Sequence, residues 1–104
     1  MADFVKVAST GEIPPGMMKK VALGAEQILL ANIEGKFYAI GDVCTYAGGP
    51  LHQGKLFGNE VECPWHKSHF DLTSGQVKRG PAWRPEPAYE VQVEGGEIRL
   101  RQKH

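Results

Sequence analysis

The chain has 104 residues, 41% of them hydrophobic, enough for one small domain with a modest core. Its twelve basic residues balance twelve acidic ones and are scattered along the chain, which argues against nucleic acid or an anionic membrane as a partner. Two cysteines are too few for the disulfide framework of a secreted domain. MADFVKVAS lacks the apolar core of a signal peptide, and no run approaches the roughly 18 apolar residues of a membrane span, so a cytoplasmic protein is expected.

In chain order, DFVKVA, KKVALG, QILLANIE, KFYAIG, EVECPW, AYEVQVEG and EIRLRQ have the alternating, β-branched or aromatic character of strands, each bounded by Gly, Pro or Asn. IEGK (Ile33 to Lys36) and VEGGEI (Val93 to Ile98) join such runs through glycines that allow the positive φ of tight hairpins. No segment keeps a 3.6-residue period for three turns, so helix should be minor. The expectation is an all-β domain spanning residues 1–104, an antiparallel sandwich or open barrel. Cys44 to Gly58 and Gly75 to Pro87 are rich in Gly and Pro and poor in alternation, and are read as loops. The stretch from Cys44 through the second ligand segment holds both cysteines and three of the four histidines, so function should sit at this loop end.

The first loop offers Cys44 and His52, and the second, CPWHKSHFD, offers Cys63, His66 and His69. Thiolate and imidazole are ligands that soft and borderline metals prefer, and two loops each giving a pair is a common way to close a site. A Cys-x-x-His pair alone is weak evidence; the neighbouring residues strengthen it.

CTYAGGPL (44–51), VECPWHKSHFDLTSGQV (61–77), Gly80 to Ala82 and the closing AYEVQVEGGEIRL (88–100) together resemble the Rieske iron–sulfur ferredoxins, whose ligand loops read CxH and CxxH. Sixteen residues separate Tyr46 from Cys63, close to the family's spacing. The resemblance implies a small fold of stacked antiparallel sheets with a 2Fe-2S cluster at one tip. Two ligand loops (about 44–52 and 63–71) would hold it and a Pro-rich loop (about 79–87) would cover it. In that family two cysteines bind one iron and two histidines the other, which raises the reduction potential above that of all-cysteine ferredoxins. By position, Cys44, Cys63 and His66 match three ligands; Tyr46 stands where the second histidine belongs.

A phenol is no size-matched substitute for imidazole, because its oxygen lies at the far end of the ring. To ligate well it would also have to lose its proton, from a reference pKa of about 10, which ferric iron could assist. A coordinating phenolate would favour ferric iron and lower the potential relative to a two-histidine site. The residues leave three outcomes open: a 2Fe-2S cluster completed by Tyr46, His52, His69 or water; a mononuclear zinc or iron on Cys44, Cys63 and His66; or no metal.

The resemblance also implies roles nearby. Ser68 matches a residue whose hydroxyl can bond to a cluster sulfur, Trp65 would shield the cluster or fill the core, and Pro81 belongs to the covering loop. Lys67 replaces a more usual glycine, implying strain if the backbone there needs positive φ. Phe70 replaces the tyrosine of high-potential members, and Gly49 and Trp65 occupy the places of their extra disulfide, which points to the low-potential branch. Trp83 is expected to pack on or near the covering loop, Met17 and Met18 to serve packing, and His52 and His69 to be loop histidines.

The function implied is a one-electron carrier from a reductase to an oxygenase or similar partner, an electron-transfer protein rather than an enzyme. The alternative is a ligand-depleted Rieske fold, redox-inactive, acting as a structural or interaction subunit. The chain is too short to include an oxygenase's separate mononuclear iron domain, and the nitrite-reductase small subunits that share the fold commonly lack the ligands of which three remain here.

Overall fold

The computed structural model describes residues 3–102; His104, to which no role is assigned, lies outside the described residues. Ten strands form two antiparallel sheets. The larger joins β1 (Val5–Ser9), β2 (Met18–Leu23), β3 (Glu26–Ile33), β4 (Lys36–Gly41), β9 (Ala88–Glu94) and β10 (Glu97–Gln102) in the order β1-β10-β9-β4-β3-β2. The smaller runs in sequence order through β5 (Lys55–Phe57), β6 (Glu60–Glu62), β7 (His69–Asp71) and β8 (Val77–Arg79). The only helices among the described residues are two single 3₁₀ turns, Thr10–Glu12 and Leu51–Gln53. None is long and apolar enough to cross a membrane.

Strand β3 shows why the larger sheet has two dry faces. Ile28 and Leu30 point into one apolar cluster with Ile13, Val21, Tyr89, Ile98 and Leu100, while Leu29 and Ala31 point into a second with Ile40, Leu51, Val61, Phe70 and Leu72. Burial on both faces explains the unbroken ILLA run, where a half-solvated strand would alternate. The edge strands β1 and β2 approach each other, curling the sheet around the first cluster. The second cluster lies between the sheets and includes both cysteines, so their thiols are part of the packed interior.

The expected hairpins are present. Strands β3 and β4 turn through Glu34 and Gly35 at φ 54° and 92°, and β9 and β10 through Gly95 and Gly96 at 59° and 79°, the paired positive φ that matches the twist of the flanking strands. Three expectations need correction. Cys44 to Gly58 and Gly75 to Pro87 are not wholly irregular: the first contains β5 and the second β8, and the second ligand loop ends in β7 at HFD. These strands have three residues each, too short to show a period, and they exist because pairing satisfies their backbone groups, β5 and β7 on β6 and β8 on β7.

Neighbouring backbone segments approach closely at two glycines. A Cβ on Gly54 would stand 1.8 Å from the Glu62 carbonyl oxygen, and one on Gly75, at φ +81°, would stand 2.1 Å from that of Glu86. Gly58 also has positive φ, +60°, but nothing lies within 4 Å of its Cβ position. Gly75→Ala should therefore lower the unfolding free energy by at least about 2 kcal/mol, and Gly58→Ala by about 1 kcal/mol, the conformational cost alone. Urea titrations of the two variants check this; equal losses would show that the contact with Glu86 is not tight.

Candidate metal centre

Each ligand loop is a closed turn that begins on a cysteine. In the first, Cys44 N–H donates to the Gly49 carbonyl (2.9 Å) and Gly48 N–H to the Cys44 carbonyl (2.8 Å). In the second, Cys63 N–H donates to the Ser68 carbonyl (2.8 Å) and Lys67 N–H to the Cys63 carbonyl (3.0 Å). Lys67 takes the positive φ expected of that position, 61°. The tight turn demands it and a lysine there carries strain of about 1 kcal/mol or more.

Both thiols are reduced, buried and adjacent, and burial raises the pKa of Cys44, with the neighbouring Cys63 adding to the rise. Gly49 makes room for them: a Cβ there would lie 3.0 Å from Cys63 Sγ and 3.1 Å from the Trp65 ring. His66 is exposed at the end of the second loop, and the Tyr46 ring meets it edge to face, centroids 5.1 Å apart at 81°. Cys44, Cys63, His66 and Tyr46 are thus gathered at one tip, two donors inside and two rings outside.

The covering loop is tied to both ligand loops. Ser68 Oγ, fully buried, accepts the Ala82 N–H (2.9 Å), which leaves its own hydrogen to donate. Thr45 N–H donates to Glu86 Oε2 (2.9 Å) and Thr45 Oγ1 donates to the Arg84 carbonyl (2.6 Å). Glu86 is only 4% exposed, beside an open cavity of about 440 Å³ that Cys44, Thr45 and Tyr89 help to line. Desolvation pushes its pKa up to about 8; the Thr45 N–H opposes this rise and the nearby Asp42 charge adds to it. Gly41 accommodates it, since a Cβ there would stand 2.6 Å from Glu86 Oε1.

Several expectations change at this site. His52 and His69 are half-buried and engaged: His52 Nδ1 lies 2.9 Å from Asp42 Oδ2, and His69 lies between Glu60 (2.9 Å from Nδ1) and Glu62 (3.2 Å from Nε2). Their carboxylate partners hold them as structural links in their own segments. Trp65 does not fill the core, and Trp83 is 77% exposed, with the Arg84 guanidinium 5.3 Å from its ring. Met17 is exposed, while Met18 does pack against the inter-sheet cluster. Phe70 is fully buried in that cluster and Pro81 is exposed. Glu86 and Thr45 went unrecognised in the sequence, because PEP and CTY read as solvated loop; nothing local marks a glutamate as buried.

A tip of three loops on stacked antiparallel sheets, with two buried thiols beneath an exposed imidazole, defines a small cluster-binding domain. Residues 3–94 match the Rieske [2Fe-2S] domain, and the chain belongs to that family. It is 36% identical over 95 residues to the ferredoxin component of biphenyl 2,3-dioxygenase from Rhodococcus jostii (strain RHA1), covering 91% of this chain and 89% of that one. The ferredoxin of carbazole 1,9a-dioxygenase from Nocardioides aromaticivorans IC177 superimposes with a TM-score of 0.93 at 29% identity, over 98% of this chain and all of that one. A second solved structure, a complex of reduced oxygenase and oxidised ferredoxin in carbazole 1,9a-dioxygenase, aligns with a TM-score of 0.90 at 30% identity, over 97% of this chain and 96% of that chain.

The raised pKa of Glu86 sets a pH dependence. Its carboxyl is neutral in both states below about 4.5; between about 4.5 and about 8 the native state alone keeps the proton, so stability declines as pH rises through that window and levels off above it. The shift of roughly 3.5 units caps the loss at about 5 kcal/mol, and local opening of the covering loop should keep it below that. Glu86→Gln keeps an acceptor for Thr45 N–H without the charge. Its stability relative to wild type should grow from pH 5 to pH 8.5 in urea titrations; a pH-independent difference would mean that Glu86 is ionised and solvated.

Proposed function

We propose that the chain is a one-electron carrier of the Rieske ferredoxin type, working in the cytoplasm between a reductase and an oxygenase-like acceptor, with Cys44, Cys63 and His66 as its cluster ligands. The observation that carries this reading is the pair of buried, reduced thiols directly behind an exposed His66 at the tip of a ferredoxin fold. Among the described residues no three His, Cys, Asp or Glu side chains converge on one point able to hold a metal ion. With the thiols adjacent and His66 apart, a two-iron unit suits the spacing better than a single tetrahedral ion.

The donor set fits such a cluster at three places out of four. When bound, the cluster supplies a one-electron couple whose potential rises with neutral imidazole ligands. The chain's own residues do the rest. The inter-sheet core keeps water from the thiols, the loop turns fix their direction, Ser68 holds the covering loop down with a hydroxyl hydrogen still free, and His66 faces the surface a partner approaches. Tyr46 supports a second reading, a site depleted of one ligand. It stands beside His66 where the second imidazole would, but the ring atom next to its attachment is a C–H.

Iron, zinc and sulfide analysis with visible and electron paramagnetic resonance spectra tests both readings. Iron and sulfide in equal amounts are expected in the purified protein. Tyr46→His should raise cluster content and move the reduction potential upward, and Cys63→Ser should abolish the cluster. If Tyr46→His assembles none when expressed with ample iron, the loops are not a working Rieske scaffold.

A further inference from the structure

The tip that would exchange electrons has a chemistry of its own. Each of its three loops exposes an aromatic ring: Tyr46 on the first, Trp65 on the second and Trp83 on the covering loop, with Val43 beside them. Trp65 lies against the first loop at Gly49, so the rings of neighbouring loops share one face. The charges here are sorted by sign. Lys67 and Arg84 are exposed and form no ion pair among the described residues, whereas the other lysines and arginines seen in ion pairs, such as Lys19 with Glu12 and Arg101 with Glu90, lie on the strands. Of the carboxylates within or bordering the three loops, Asp42 is turned onto His52, Glu62 onto His69 and Glu86 beneath Thr45, while Asp71, where the second loop ends, accepts from Thr73 on the strand side. A chain with equal numbers of acidic and basic residues therefore shows a positive, aromatic end.

We infer that this tip docks a redox protein whose surface carries carboxylates around an apolar centre, with Trp65 and Trp83 as the buried anchors and Lys67 and Arg84 as the steering charges. The inference rests on the carrier reading above and adds the chemistry of the partner. Arg84 is held over the face of Trp83, at 5.3 Å, so one residue pair offers both apolar area and charge. Tryptophan and arginine are the side chains that most often dominate interfaces. Redox encounters bury little surface, so charge placed at the tip governs how fast they form.

Both tryptophans of the chain lie at this tip, so intrinsic fluorescence reads its local potential directly. Lifetime quenching by iodide and by caesium is measured on the protein as isolated, at constant ionic strength, each normalised to N-acetyltryptophanamide and to acrylamide. Iodide should be favoured over caesium several-fold. The double variant Lys67→Gln/Arg84→Gln should bring that ratio near one, and Lys19→Gln/Lys20→Gln, on strand β2 outside the three loops, should leave it unchanged. Caesium quenching equal to or stronger than iodide, or a ratio that ignores the tip variant, overturns the inference.

The second arm follows oxidation of the dithionite-reduced protein in a stopped-flow spectrometer. Added salt should slow the reaction with hexacyanoferrate(III), an anion, and speed that with cytochrome c, a basic protein, and both dependences should flatten in the tip variant. Rates that are fast but indifferent to salt sink the proposed polarity and leave the carrier reading standing. No electron transfer to either acceptor sinks the carrier reading and the docking role with it, even where the iodide preference is found.

Discussion

The site depends on how one loop without ligands is fastened to two loops that have them. The covering loop has no strand over residues 80–87; its end is held by backbone bonds from Glu86 N–H to the Gly75 carbonyl and from Gly41 N–H to the Pro87 carbonyl, and the rest of its attachment comes from side chains of the ligand loops. Ser68 accepts Ala82 N–H in a fully buried bond, and Thr45 donates through both its backbone and its hydroxyl. A buried polar group left unmatched costs about 1–3 kcal/mol, so separating the loops would sacrifice three bonds together. The backbone of each ligand loop is closed on its own cysteine. The loops are thus locally rigid and mutually stapled, which is what a cluster needs if its surroundings are to change little on reduction.

That fastening explains the odd placement of Glu86. A carboxyl that is 4% exposed with no cation beside it is costly when ionised, yet it is here the acceptor for Thr45 N–H. As a neutral acid it serves as an acceptor with little desolvation penalty, and the closed loops keep water from reaching it. Gly41 and Gly75, the one making room for its side chain and the other for its backbone, show that the packing is built around it. The price is a stability that falls as pH rises from about 4.5 to about 8.

Legibility in the sequence followed the length over which a physical pattern repeats. Strand β3 and the hairpins at Glu34-Gly35 and Gly95-Gly96 could be read, since a long apolar run and paired turn residues leave few alternatives. Strands β5, β7 and β8 could not: three residues carry no period, and only their partners across the sheet make them strands. At the site, Cys44, Cys63 and His66 were visible because their spacing is chemical. The exposure of Trp65 and Trp83 was not, because a tryptophan in a small domain is by default part of the core. Nor was the burial of Asp42 or Glu86, which depends on contacts with residues 10 and 41 positions away.

Tyr46 joins these observations. Its ring makes an edge-to-face contact with His66, so the outer half of the tip holds two packed rings although one lacks a ring nitrogen. The scaffold therefore does not register the substitution: the thiols stay buried and reduced, Gly49 still clears Cys63, and the covering loop is still stapled. What changes is confined to the fourth donor. A phenol turned outward would leave one position to water, and a phenolate turned inward would make a bound iron a harder, more ferric site and lower its potential relative to two imidazoles. Half-exposed, Tyr46 also belongs to the aromatic face on which Trp65 and Trp83 stand. Tyr46 thus stands both beside His66 and on the face through which a partner would meet the site, so a change at position 46 should alter potential and docking together.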